Sequence, residues 1–504
     1  MTMFPPGKWY CKNNTGIDMK VAFVASEVVP FAKTGGLADV AGALPIEMKK
    51  MGVDIKVFMP KYYSVDEHKY KLKYLDSVGE LRIRVNGYPQ PVSVYTGFLP
   101  NSNVEIFFID APKYFHRSSI YTNDWDEDER FILFQKAVIE VMQRLGWAPD
   151  LIHCNDWQTG LIPLMIRDNY NWDRMFDNTS IIFTIHNIGY QGVFGIDTLR
   201  KAEIKEKHFY ETHAIEHGGA VNFMKAAILY SDIINTVSDT YARELLSSEY
   251  GAGMHYYLWQ RKDDLYGILN GIDYDVWDPE RDRHLPHHYN RENLSGKTEN
   301  KKFMLEKMHL PYHPDVPVVG MVTRMVSQKG FDILEPVIFE LMQYDLQFVI
   351  LGSGESKYEE MFNHVARIFP HKVSVYLGYN NELAHLIEAG ADIFLMPSAY
   401  EPCGLNQMYS LLYGTVPVVR KTGGLADTVF DWDETSYHGH DYGNGFSFND
   451  YAGWALSDAV KRAVNRFHDK ATWTKIQQNG MKMDLSWKGS AEKYLELYKR
   501  AMAK

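Results

Sequence analysis

One rhythm occurs twice along this chain and limits what it can fold into. Short, nearly all-apolar runs rich in β-branched residues alternate with longer amphipathic stretches. Runs without polar alternation are buried on both faces, as parallel strands are, and parallel strands need crossover helices between them. The first series is VAFVAS at 21–26, a helical pattern at 38–52, IKVFMP at 55–60, VEIFFID at 104–110, a helical pattern at 127–145, LIHC at 151–154, IIFTIH at 181–186 and IINTVS at 233–238. Residues 273–300 then lose all apolar periodicity and are rich in Asp, Pro, His, Arg and Asn. A second series follows: PVVGMVTR at 317–324, QFVILGSG at 347–354, VSVYLGY at 373–379, DIFLMPS at 392–398 and VPVVRKTGG at 416–424.

This pattern predicts an α/β protein of two doubly wound, Rossmann-like domains. The expected units are 19–270 and 301–485, joined by a linker at 271–300. A final helical pattern at 489–503, within 486–504, is expected to return to the first domain. In such sheets ligands bind outside the carboxyl ends of the strands, so a cleft between the two domains is the expected site. The 504-residue length agrees, since single cores stop growing near ~250–300 residues.

A net charge of −11 speaks against a nucleic-acid partner, which needs a basic face. Three scattered cysteines, Cys11, Cys154 and Cys403, are too few for a disulfide framework or a zinc site, and point to a reducing compartment. Residues 1–18 carry no apolar run and no Arg. They read as a flexible leader rather than a signal peptide, transit sequence or membrane span.

The heptapeptide KTGGLAD appears at 33–39 and again at 421–427, each time after a strand and opening a helix. One reading is a duplicated structural turn. The other is that Gly35 and Gly36, with Thr422, Gly423 and Gly424, present backbone N–H groups and a helix start to an anionic ligand. TRMVSQKG at 323–330 places Arg324 and Lys329 in one loop after a strand, a pairing suited to a diphosphate. PSAYEPCGLNQ at 397–407 puts Glu401 in a similar loop, where a carboxylate can accept hydrogen bonds from sugar hydroxyls. Cys403 beside it has no His in its loop, so thiol catalysis is set aside. HCNDWQTG at 153–160 and TIHNIGYQG at 184–192 supply Asp156, His186 and Asn187 next to Trp157 and Tyr190, a mixture of polar groups and aromatics that suits a carbohydrate. His153 reads either as a site residue or as a core histidine.

With LNGIDYDVWDP at 269–279 and GYNNELAHLIEAGAD at 378–392 added, the chain from about Met19 onward resembles the bacterial-type glycogen synthases and plant starch synthases that use ADP-glucose. The resemblance implies the GT-B fold and a retaining, metal-free and cofactor-free transfer of glucose to the non-reducing end of an α-1,4-glucan. The setting it implies is the cytoplasm or, alternatively, a plastid stroma, with neither membrane nor nucleic acid as partner. Carried over, Lys33 and Gly36 lie near the donor phosphates, and Asp39, His186 and Asn187 near the glucosyl hydroxyls. Arg324 and Lys329 neutralise the leaving diphosphate, and Glu401 contacts the transferred glucose. Tyr379 stacks on adenine, Asn270 serves the acceptor side, and Cys403, Gly404 and Leu405 open a helix whose amides meet phosphate. One departure is that Tyr409 stands where many retaining enzymes of this fold carry a second Glu. Rival readings are an oxidoreductase, which lacks its GxGxxG after the first strand, and a glucan-binding scaffold without activity. Among transferases the runner-up uses UDP-glucose or a different acceptor.

Overall fold

The computed structural model describes residues 19–504; the leader and Cys11 lie outside them. Two sheets organise the chain. The larger runs, edge to edge, through Leu265–Gly267, Ile233–Thr236, Ser180–Ile185, Leu151–Asn155, Lys20–Val24, Asp54–Pro60, Glu105–Asp110, Tyr88–Phe98 and Lys73–Tyr74, with Leu81–Val85 paired to Tyr88–Phe98. Its first seven strands are parallel. The far edge is an antiparallel extension. The smaller sheet is wholly parallel, in the order Val373–Leu377, Gln347–Gly352, Val318–Val322, Ile393–Met396, Val416–Arg420, Phe446–Phe448.

In each sheet the opening strand has later strands on both sides, so the chain direction of the winding reverses there. In the first sheet this happens between Lys20–Val24 and Leu151–Asn155; in the second it happens between Val318–Val322 and Ile393–Met396. The loops leaving these four strands diverge to opposite faces and open a crevice. They are the loops that carry Gly35, Asp156, Arg324 and Glu401.

The helix Trp487–Met502 lies on the first sheet, where Trp487, Ala491, Tyr494, Leu497 and Tyr498 join the core. Two bonds fix it. The Tyr498 hydroxyl meets His153 Nδ1 at 2.7 Å, and the Asn235 amide donates to the Tyr494 hydroxyl at 3.0 Å. His153 Nε2 is also bonded, to Thr184 Oγ1 at 2.7 Å. Burial pushes this ring down to about 3, so His153 is a satisfied, neutral core histidine.

Residues 273–300 pack closely on the second domain despite their polar sequence. Trp277 is sandwiched between His385 and Tyr409, with ring centroids 3.7 and 3.8 Å away. The buried Asp282 carboxylate receives the His385 ring at 2.7 Å and the Tyr413 hydroxyl at 2.6 Å. Leu285 and Tyr289 are buried beside them. Residues 273–294 show no period because they are irregular loop, Ser295–Lys307 is a helix, and the buried Asp282 finds its partners inside the fold.

Candidate active site

The crevice between the sheets is a cleft of about 1190 Å³ lined from both domains. Lys33, Gly35, Gly36, Asp156, His186, Asn187 and Asn270 come from the first domain; Arg324, Lys329, Tyr379, Glu401, Cys403, Gly404 and Leu405 come from the second. Asp39 stands behind this lining, its carboxylate 2.7 Å from Lys33 Nζ, with burial holding its pKa above the usual value against the pull of Lys33.

The second domain builds its wall by stitching two strand-end loops together. The Ala399 N–H donates to the Gln328 carbonyl at 2.9 Å, and the Gln328 amide donates to the Tyr400 carbonyl at 3.2 Å. Gly330, at φ +79°, lies so close to Pro397 that any Cβ there would strike its carbonyl. The result sets Lys329 Nζ 2.6 Å from Glu401 Oε2, with the Ser398 hydroxyl donating to the same oxygen at 3.0 Å. Arg324 is exposed to the cleft and makes no ion pair among the described residues. Burial pushes the Cys403 thiol up to about 12, which removes its thiolate at neutral pH. Tyr379 is 87% exposed, a free aromatic face at the rim.

The opposite wall is more polar and more buried. Asp156 adopts φ +56°, ψ 178°, a region that costs a non-glycine residue of order 1–3 kcal/mol and that clusters at functional sites. Its Oδ1 accepts the His186 N–H at 2.8 Å, and burial still raises its carboxyl to about 7. Burial lowers His186 to about 3, so the ring is neutral. Its tautomer follows from Asn155. That amide donates to the Val24 carbonyl at 3.0 Å, leaving its oxygen to accept from His186 Nε2 at 2.9 Å, so Nδ1 carries the lone pair. Asn187 Oδ1 accepts the Gly189 N–H at 2.9 Å. Asn270 lines the cleft and is buried, its Oδ1 without a hydrogen-bond partner among the described residues.

The two copies of KTGGLAD serve different purposes. Around Gly35 there is open space, and a Cβ on Gly36 would stand 4.0 Å from the Leu405 side chain of the other domain. In the second copy a Cβ on Gly423 or Gly424 would collide with the carbonyls of Glu401 and Cys403. Thr422, Gly423 and Gly424 therefore lie behind the Glu401 loop and outside the cleft lining, which corrects the expectation that both turns face the ligand. Both copies are also capped by carboxylates that sequence reasoning passed over. Glu27 accepts the N–H groups of Thr34 and Gly35, the latter at 3.0 Å, and the Tyr121 hydroxyl at 2.6 Å. Glu244 takes the equivalent place on Gly423. Glu27 was discoverable as the acid directly after the first strand, at the reversal point of the sheet; Glu244, from a distant helix, carried no such signal.

Two Rossmann-like domains facing across one cleft, with cations and a carboxylate on the strand-end loops of one and polar groups beside aromatics on the other, define a glycosyltransferase of GT-B architecture. The chain belongs to the glycogen and starch synthase family. A starch synthase catalytic domain model matches residues 20–260, and a group 1 glycosyl transferase model matches 308–479. Glycogen synthase from Thermosipho africanus is 45% identical over 96% of this chain and 100% of its own length. The Thermotoga maritima enzyme of that name is 44% identical over 96% and 99%. The catalytic domain of Arabidopsis thaliana starch synthase IV, solved with ADP and acarbose, superposes with a TM-score of 0.89 at 33% identity, covering 96% of this chain and all of that one. Sucrose-phosphate synthase from Thermosynechococcus elongatus, at 16% identity and a TM-score of 0.58, shares the fold.

Proposed function

We propose that the chain transfers glucose from ADP-glucose to the 4-hydroxyl at the non-reducing end of an α-1,4-glucan, retaining the anomeric configuration and releasing ADP. The observation that carries this reading is the second-domain loop pair, which holds Lys329 against Glu401 while Arg324 faces the cleft unpaired. As the anomeric carbon–phosphate bond breaks, charge grows on the departing diphosphate, and cations already in place stabilise that charge more than the ground state. Arg324, Lys329 and the amides that follow Gly404 receive the diphosphate, with Lys33 and Gly36 approaching it from the first domain. Tyr379 offers its open face to the adenine. Glu401, His186 and Asn187 orient the glucosyl unit, Asp39 acts on it from behind the lining through its pair with Lys33, and Asn270 serves the acceptor side with Asp156 beside the sugar. No divalent ion takes part, since the positive charge comes from side chains. The cytoplasm, or a plastid stroma, is the compartment that supplies such a donor.

Steady-state kinetics test the roles of the cations. Lys329→Met should lower kcat by about 10²–10³ while donor KM changes little, the signature of an interaction made in the transition state. Arg324→Lys should also impair transfer, because an ammonium cannot contact two phosphate oxygens at once. A near-normal kcat with a raised KM in both variants would reduce these residues to donor recruitment.

A further inference from the structure

The second KTGGLAD copy is the motif that the ligand does not account for, and its surroundings assign it another task. Its Gly424 N–H donates to the carbonyls of Glu401 and Pro402, at 3.1 and 3.2 Å, so the backbone that carries Glu401 hangs from this turn. The turn itself is held from the other domain. Glu244, at the end of the helix Asp239–Glu244, accepts the Thr422 hydroxyl at 2.9 Å and the Gly423 N–H at 3.1 Å. At the start of the same helix, the fully buried Ser238 hydroxyl donates directly to the Pro402 carbonyl at 2.7 Å. Between them, the Thr240 N–H and hydroxyl bind the Asp427 carboxylate at 2.9 and 2.5 Å. One helix of the first domain thus grips the second domain at both sides of the Glu401 loop.

We propose that Ser238 and Glu244 are positioning residues for Glu401: contacts from the first domain hold the carboxylate loop in register with Lys329, so the site is complete only while this helix is docked. The proposal rests on the reading of Glu401 as a cleft carboxylate that contacts the transferred glucose. The chemistry favours it. A carboxylate accepting a backbone N–H and a hydroxyl makes charge-assisted bonds, which hold geometry better than neutral ones. Two carbonyls, those of Glu401 and Pro402, receive three donated bonds from the turn and from Ser238, which leaves the segment little freedom to shift. The Lys329–Glu401 contact is made at the end of that segment, where a small displacement of the backbone costs reactivity.

The test uses the full chain with ADP-glucose and glycogen, comparing wild type, Glu244→Ala, Glu244→Gln, Ser238→Ala, Glu401→Ala, and Glu401→Ala combined with each alanine variant. Glu244→Ala should lower kcat about tenfold with donor KM nearly unchanged, the size expected from losing a charged hydrogen bond. Glu244→Gln should recover most of the loss, because its amide oxygen can accept both bonds. Each double variant should be no slower than Glu401→Ala alone, since residues that act through Glu401 have nothing left to position. Ser238→Ala gives the same reading if Glu244→Ala does not fold. A kcat within about twofold of wild type in the folded variants, or losses that multiply on the Glu401→Ala background, overturns the proposal. Retention of most activity by Glu401→Ala overturns the Glu401 reading and the proposal together, whereas its loss beside intact Glu244→Ala and Ser238→Ala overturns the proposal alone.

Discussion

Lys329 and Glu401, 72 positions apart in the chain, meet at 2.6 Å because two strand-end loops are bonded to each other along their backbones. The pair sits in the cleft wall and contributes little to either hydrophobic core. Glu401→Gln should therefore lower kcat by about 10²–10³ while the melting temperature stays close to wild type. Calorimetry on the purified variant beside initial-rate kinetics checks both halves; a folded variant with near-normal kcat would remove Glu401 from the catalytic set.

Asp156 makes stability depend on pH. Its carboxyl is raised by burial to about 7, against an ordinary value of about 3.9 in the unfolded chain. The folded state thus binds the proton more strongly, and the stability linked to this group is complete below about pH 4 and lost as pH rises through about 7. Asn cannot titrate but keeps an oxygen for the His186 N–H. Melting curves should show Asp156→Asn gaining on wild type between pH 5 and pH 8; parallel curves would place the Asp156 pKa near its ordinary value.

Much of this was legible in the residues, and the exceptions have physical causes. The near-continuous apolar runs, such as QFVILG at 347–352 and IIFTI at 181–185, are buried on both faces and became parallel strands. The hairpin Leu81–Val85 with Tyr88–Phe98 was missed although LRIRV alternates buried and exposed and Asn86-Gly87 is a strong turn signal, both residues having positive φ. In the site, loops that follow strands announced Asp156, His186, Arg324, Lys329 and Glu401. The differing fates of the two KTGGLAD copies were hidden, because identical letters cannot say that one turn faces open space and the other lies against a carbonyl. Glu244 and the Trp277 sandwich were hidden for a related reason: each depends on packing between segments far apart in the chain.

Trp277 ties the connecting segment to the second domain through its two stacked faces. Trp277→Ala should destabilise that domain by about 2–3 kcal/mol, less than the 3–5 kcal/mol typical of a fully buried aromatic because the indole is half-buried. Chemical denaturation followed by calorimetry would measure it, and a change under about 0.5 kcal/mol would show that the stacking contributes nothing net.

Tyr498 anchors the returning helix through His153, whose two nitrogens are both bonded in the core. Tyr498→Phe leaves His153 Nδ1 buried without its partner and should cost about 1–3 kcal/mol. Donor and acceptor KM should not change, since neither residue lines the cleft. A variant as stable as wild type would show that the ring reorganises at no cost.

If this cleft moves glucose from ADP-glucose onto an α-glucan end, incorporation of radiolabelled glucose into glycogen from ADP-glucose and from UDP-glucose in parallel measures it directly. Label should enter the polymer from ADP-glucose, be released again as glucose or maltose by enzymes specific for α-1,4 linkages, and do so with a higher kcat/KM than from UDP-glucose. No incorporation from ADP-glucose, or equal or greater efficiency with UDP-glucose, would contradict it.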